Sequence, residues 1–216
     1  MDIRADLTQT ALVTPDEWQW VDSPQPGVTR VMLDRVGDEV AVATSFVRYA
    51  KGSSFPTHQH ALGEEFLVLE GEFGDEHGRY PAGTYVRNPA GTSHAPFSEP
   101  GCLIWVKLRQ FDVEDQDQFA LALDMTVPEK GREDLVLHEF GAERVREVVG
   151  AAGARITIGN GDEVEEALVV EGDLAQGNER LPAWSWLRVP AGASVQFGVM
   201  KPTRLLVKTR PVHERD

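Results

Sequence analysis

The chain has one cysteine, Cys102, in 216 residues, so it cannot close an internal disulfide and must hold its fold by packing or bound metal. Set in GCLIWVKL, that thiol reads as a small buried hydrophobe rather than a nucleophile. No apolar run approaches the roughly 20 residues that span a bilayer. The opening MDIRADLTQTALV has no basic region leading into an apolar one, so the expected location is cytoplasmic. Positive charge is also short. Twenty-one basic against 35 acidic residues leave a net charge of -14, which argues against phosphate backbones and anionic lipid, and hence against nucleic acid and membranes as partners. Helical periodicity is nearly missing, the exceptions being the acidic segment 112–124 and a turn near residues 14–18.

What the chain does have is strand signal. Short runs rich in Val, Ile, Phe, Tyr and Trp, such as VAVATSFVRY, EEFLVLEGEF, CLIWVKLR, EALVVEG and RLLVKTR, recur between Gly and Pro punctuation, which predicts an all-β barrel or sandwich. Displacing the chain by 101 residues then lays Gly52 on Gly153, Glu64 on Glu165, Glu70-Gly71 on Glu171-Gly172, Arg87 on Arg188 and Pro89-Ala90-Gly91 on Pro190-Ala191-Gly192. LIWVKLR falls on RLLVKTR at the same offset, so the chain is an internal duplication, divided here at 1–111 and 112–216. Upstream of residue 50 the match holds only if about three residues are dropped, pairing Gly37 with Gly141.

One copy carries a frame that the other lacks: His58-x-His60-x3-Glu64, closed by Gly71, then Gly83-x5-Pro89-x-Gly91-x2-His94. His58 and His60 are two apart and share one face of an extended strand. Glu64 opens the next strand, and Pro89-x-Gly91 makes the turn that presents His94. Three imidazoles and a carboxylate suit a divalent metal, whether zinc, iron, manganese or nickel. Zinc would be nearly saturated by the four, whereas an octahedral ion would keep two positions open. Glu65 is the competing carboxylate, but the spacing to Gly71 and the repeat partner favour Glu64 and leave Glu65 to face solvent. In the second copy His58, His60 and His94 fall on Gly159, Gly161 and Val195. The turn residues remain and the imidazoles are gone, which confines metal to the first copy.

The stretch Gly52-SSFPT-His58-Gln-His60-ALG-Glu64-EFLVLE-Gly71 resembles the first cupin motif, and Gly83-TYVRN-Pro89-Ala-Gly91-TS-His94-APF-Ser98 the second, with Ser98 where asparagine is usual. More narrowly, residues 20–111, with VDSPQPGVTRVMLDR and VKLRQFD, are similar to the ChrR-like cupin family. The resemblance implies two tandem jelly-roll barrels, a bicupin of six to eight strands each, with metal on His58, His60, Glu64 and His94 and a degenerate second barrel. It also implies two activities. Relatives include a β-diketone-cleaving dioxygenase, with Glu64 the group here that could accept a proton. The family is named for the cupin domain of a zinc-binding anti-sigma factor, whose sigma-binding helical module with its His and Cys set this chain lacks. A small molecule is the expected ligand, and a homodimer through sheet edges the expected assembly.

The remaining residues read more plainly. His77 is a solvated turn residue, His138 and His213 surface residues, and DEVEE at 162–166 a solvated edge rather than a calcium loop. The Trp18/Trp20 and Trp184/Trp186 pairs fill core or a dimer surface. Tyr85, Arg87 and Trp105 are pocket candidates on either face of their strands, and Phe55, Phe66 and Val68 apolar lining.

Overall fold

The computed structural model describes residues 1–38, 40–159 and 161–210; His213 lies outside them. Contacts group the chain into two units, Met1–Ala5 with Gln19–Asp124, and Asp6–Trp18 with Met125–Asp216. The duplication divides the sequence at 111/112, but contacts group residues 6–18 with the second unit and 112–124 with the first.

In the first unit an antiparallel sheet runs Phe119–Ala122, Thr84–Asn88, Glu64–Gly74, Cys102–Leu108, Val42–Tyr49, Val28–Val36 and Val21–Asp22. The far end of Glu64–Gly74 leaves this sheet and pairs instead with Arg79–Pro81 and, through Gly74, with Phe97. Strands that pass from one layer to the next in this way build a jelly-roll sandwich. Phe66, Val68, Phe73, Ile104 and Val106 fill the space between the layers. Gly71 marks the corner. Its φ is +70°, and a Cβ there would lie 2.0 Å from the Gly101 carbonyl oxygen, so the chain can turn only on glycine.

The second unit repeats the plan with Trp186–Val189, Val164–Gln176, Ser194–Arg210, Glu143–Gly150 and Arg132–Phe140 in order. Its outermost strand is Ala11–Val13, antiparallel to Trp186–Val189. The register explains the repeat offsets. A bulge between Leu103 and Ile104 leaves Leu69 unpaired, and in the second unit Val170 is skipped at the same offset of 101. The Val28–Val36 strand has a bulge between Met32 and Asp34, and its counterpart has one between Val136 and His138, displaced by 104. The three extra residues inferred from Gly37 and Gly141 thus lie between those strands and the ones that follow.

Four expectations need correction. Residues 112–124 are not helical: a turn at Asp112–Asp115 closes by an Asp115 N–H to Asp112 bond, and Phe119–Ala122 is a strand held to Thr84–Asn88. Among the described residues the one helical turn is a 3-10 turn at Pro15–Glu17, within the turn expected at 14–18. His138 is buried rather than exposed, because the bulge shifts its parity relative to Val136, which is exposed. DEVEE is solvated only at its start: Asp162 is exposed, whereas Glu165 and Glu166 are buried. Glu65 does not face solvent. Its carboxylate accepts from Tyr85 and pairs with Arg87, which also holds Asp115 at 2.6 Å.

Trp18, Trp184 and Trp186 behave as packing residues, whereas Trp20 is exposed beneath the Arg48 guanidinium. Trp186 is fully buried, its indole N–H donating to Glu166 at 3.1 Å, and Trp18 stacks on Trp184 at 6.0 Å. Cys102 is a buried core residue, and burial pushes its thiol up to about 11. Among the described residues no helix is long and apolar enough to cross a membrane.

Candidate metal centre

His58 lies on the short strand His58–Gln59, which pairs with Ser93–His94 so that His94 stands directly opposite His58. The Gly63 turn, φ +78°, follows His60 and delivers Glu64 at the head of the long strand, opposite Asn88. The chain thereby brings all four sequence-expected ligands together. Their donor atoms lie within 4.8 Å of one another, and the imidazole centroids are 4.6 to 5.1 Å apart. Glu64 Oε1 is 3.3 Å from His94 Nε2 and 3.6 Å from His60 Nε2.

The second nitrogen of each ring explains the first. His58 Nδ1 is 3.1 Å from the Pro56 carbonyl oxygen, and His94 Nδ1 is 3.1 Å from Asp75 Oδ2. Both partners only accept, so both Nδ1 atoms carry the proton. His60 Nδ1 is 3.0 Å from the Thr92 hydroxyl, whose own hydrogen goes to the Pro89 carbonyl at 2.7 Å. Thr92 therefore accepts as well. All three rings are fixed with a bare Nε2 lone pair turned inward. The buried Nε2 atoms of His60 and His94 have no hydrogen-bond partner. Bare buried acceptors facing a carboxylate are unfavourable unless a cation joins them. Three nitrogens and one oxygen at this separation fit a divalent metal.

Burial and neighbouring charges shift the titration of His60, Glu64 and His94. Burial, reinforced by His94 and His58, pushes the His60 pKa down to about 3. Burial raises Glu64 against the opposing pull of His94 and His58. Burial also works to lower His94, but the Asp75 hydrogen bond and the Glu64 charge outweigh it and the net shift is upward.

Asp75 and Thr92 were not singled out in the sequence. Both sit in turns rich in polar residues, where Asp75 also accepts the His77 and Gly78 backbone N–H groups at 2.8 and 3.0 Å, so their role follows only from the fold. His77 itself is exposed, as expected of a turn residue.

Beside the frame opens a cavity of about 290 Å³, walled by Val28, Val47, Tyr49, Phe55, Ile104 and Val106 and reached by His58, His60 and Glu64. Of the expected apolar lining, Phe55 faces it, while Phe66 and Val68 pack in the core. Tyr85, Arg87 and Trp105 do not line it. They project from the opposite sheet face, where Tyr85 and Arg87 hold Glu65.

In the second unit the same scaffold is closed. Gly159, at the place of His58, has φ +85°, and a Cβ there would meet the Ala193 carbonyl at 2.3 Å. Val195, at the place of His94, packs against the core. Glu165, the partner of Glu64, accepts from the Gly159 N–H and pairs with Arg146, so a guanidinium balances the carboxylate there.

Residues 8–112 match the family model described as the ChrR cupin-like domain. This stretch, just under half of the chain, is similar to that family. Solved structures share the fold across both units. A candidate dioxygenase from Nostoc punctiforme is 14% identical with a TM-score of 0.75, covering 96% of this chain and 85% of that one. Bacterial pirin YhhW from Escherichia coli, in complex with nickel(II), is 14% identical with a TM-score of 0.68, covering 94% and 99%. A salicylate 1,2-dioxygenase from Pseudaminobacter salicylatoxidans is 13% identical with a TM-score of 0.64, covering 97% and 86%. At these identities the likeness establishes the fold. No curated protein sequence matches the chain.

Proposed function

We propose that this ChrR-like bicupin holds one divalent metal on His58, His60, Glu64 and His94 and acts as a metal-dependent enzyme on a small oxygen-bearing molecule, with oxidative cleavage of a diketone-like substrate as the reaction class. The observation that carries the reading is the set of inward, unpartnered Nε2 atoms facing Glu64 at the mouth of a cavity with one apolar wall. When bound, the ion supplies Lewis acidity and open coordination positions. The protein residues do the rest. Pro56, Thr92 and Asp75 hold the rings in one tautomer. Phe55, Tyr49, Ile104 and Val106 exclude water and orient the substrate carbon skeleton. Glu64, whose carboxyl burial pushes upward, is the group placed to take a proton from an activated carbon acid. The dioxygenases among the structural neighbours support an oxygen-using reaction, and the nickel-bound pirin supports an ion other than zinc.

The match to the ChrR family favours a second reading, a zinc-filled regulatory cupin whose metal or ligand state a partner protein reads. Anaerobic purification, elemental analysis and oxygen uptake with a panel of β-diketones separate the two. Iron, manganese or nickel at one per chain, with oxygen uptake abolished by His58→Ala and His60→Ala, is expected. Stoichiometric zinc with no turnover after iron reconstitution would overturn the enzyme reading.

A further inference from the structure

Two arginines reach the metal cavity without a counter-ion. Arg30 stands opposite Val47, which stands opposite Ile104, and both neighbours line the cavity with it. Its Nε is buried and has no hydrogen-bond partner. Arg109 follows the Cys102–Leu108 strand at φ +62°, tied by its backbone N–H to the Gly63 carbonyl at 2.9 Å, and lines the same cavity. Its side chain has no partner among the described residues either. Every other arginine among the described residues has an ion pair or a hydrogen bond to a carbonyl or amide oxygen.

Both arginines are half-buried, and the buried Arg30 Nε is left unmatched in a chain with 35 carboxylates and a net charge of -14, where acceptors are abundant. Glu64 is the only carboxylate among the lining residues, and it belongs to the metal frame. The cavity is therefore electropositive before any cation is added. The second unit provides the contrast. Val148, the repeat partner of Val47, stands opposite Asp134, so the place of Arg30 carries the reverse charge. Arg210, the partner of Arg109, is paired with Glu166. The copy without the histidine frame has neither guanidinium free.

We propose that Arg30 and Arg109 bind the carboxylate of an anionic substrate, a keto or enol acid whose carbonyl oxygens face the His58, His60, Glu64 and His94 frame. Planar guanidiniums suit a carboxylate, and charge-assisted pairs in a partly dry cavity are the stronger kind. The inference rests on the proposed metal reading for the chelating end of the substrate and on the arginines alone for the acidic end.

Isothermal titration of the full chain at about pH 7.5, where the acid is ionised and arginine protonated, compares acetoacetate with its methyl ester, which keeps the keto group and loses the charge. The acid is expected to bind at least about tenfold more tightly than the ester. Arg30→Gln and Arg109→Gln each reduce that ratio, with the metal content of the protein unchanged. Equal affinity for acid and ester in the wild-type chain overturns the proposal, as does a ratio that survives both substitutions. Failure of acetoacetate, succinate and benzoate alike to bind at about 10 mM overturns it too. The two readings fail separately. A preference for the acid in a protein that retains no metal keeps the arginines and sinks the metal enzyme, whereas retained metal without the preference does the reverse.

Discussion

A metal-binding imidazole depends on the hydrogen bond at its other nitrogen, and the three acceptors here differ in kind: a backbone carbonyl at Pro56, a hydroxyl at Thr92 and a carboxylate at Asp75. Only the last two can be changed by substitution. Thr92→Val leaves His60 Nδ1 without an acceptor, and Asp75→Asn keeps an oxygen acceptor near His94 while removing the charge. Each is expected to weaken metal binding by about 10- to 100-fold in a competition titration against a chelator. An unchanged affinity in both would show that the tautomers are not set by these residues. The four residues that the fold brings together were legible in the sequence, because alternation along a strand and the repeat contrast pick out His58, His60, Glu64 and His94 without knowledge of the fold. Arg30 was not. Its same-face neighbours Val28 and Met32 are apolar, and so are Val31 and Leu33 on the other face, where only Thr29 is polar; with both faces of the strand covered, parity alone does not tell which way it points.

The same two-sided burial explains what else the strands concealed. Glu65, Tyr85, Arg87 and Lys107 look like a solvent face in the alternating pattern, yet each is buried. Lys107 reaches the Thr44 hydroxyl at 3.1 Å, and Glu65 and Arg87 neutralise one another. The corner of the long strand was more legible, since glycine at Gly71 and at its partner Gly172 has a steric reason to be there. Gly71→Ala forces a Cβ to 2.0 Å from the Gly101 carbonyl, where backbone must move, in addition to the left-handed φ penalty. Gly83, φ +89°, has nothing within 4 Å of the corresponding Cβ. Gly83→Ala should therefore cost about 1–2 kcal/mol and Gly71→Ala more than about 3 kcal/mol, read as the difference in urea unfolding. Equal costs would mean that conformation, and not the close approach at the corner, sets the requirement.

At the scale of the molecule, one fold appears twice and only one copy carries the frame of His58, His60, Glu64 and His94. Metal bound to the native state alone stabilises by about 2.7 kcal/mol at a hundredfold excess over its dissociation constant. Hydrogen exchange should show this locally: chelation should speed exchange in the His58–Gln59, Glu64–Gly74 and Ser93–His94 strands and leave Val164–Gln176 unchanged. Val13→Asp should do the opposite, because Val13 is 2% exposed and pairs with Trp186 at the edge of the second unit. Uniform loss of protection in either experiment would show that the units do not respond separately.

The placement of Ala11–Val13 in the second sheet also bears on how the protein is made. Ala11–Val13 is synthesised long before the strand it docks on, Trp186–Val189. At about 5–20 residues per second, a ribosome needs roughly 10–35 s to supply that partner. For that interval the apolar residues Ala11, Leu12 and Val13 are an unpaired segment on the nascent chain, available to chaperones while the first barrel closes behind them.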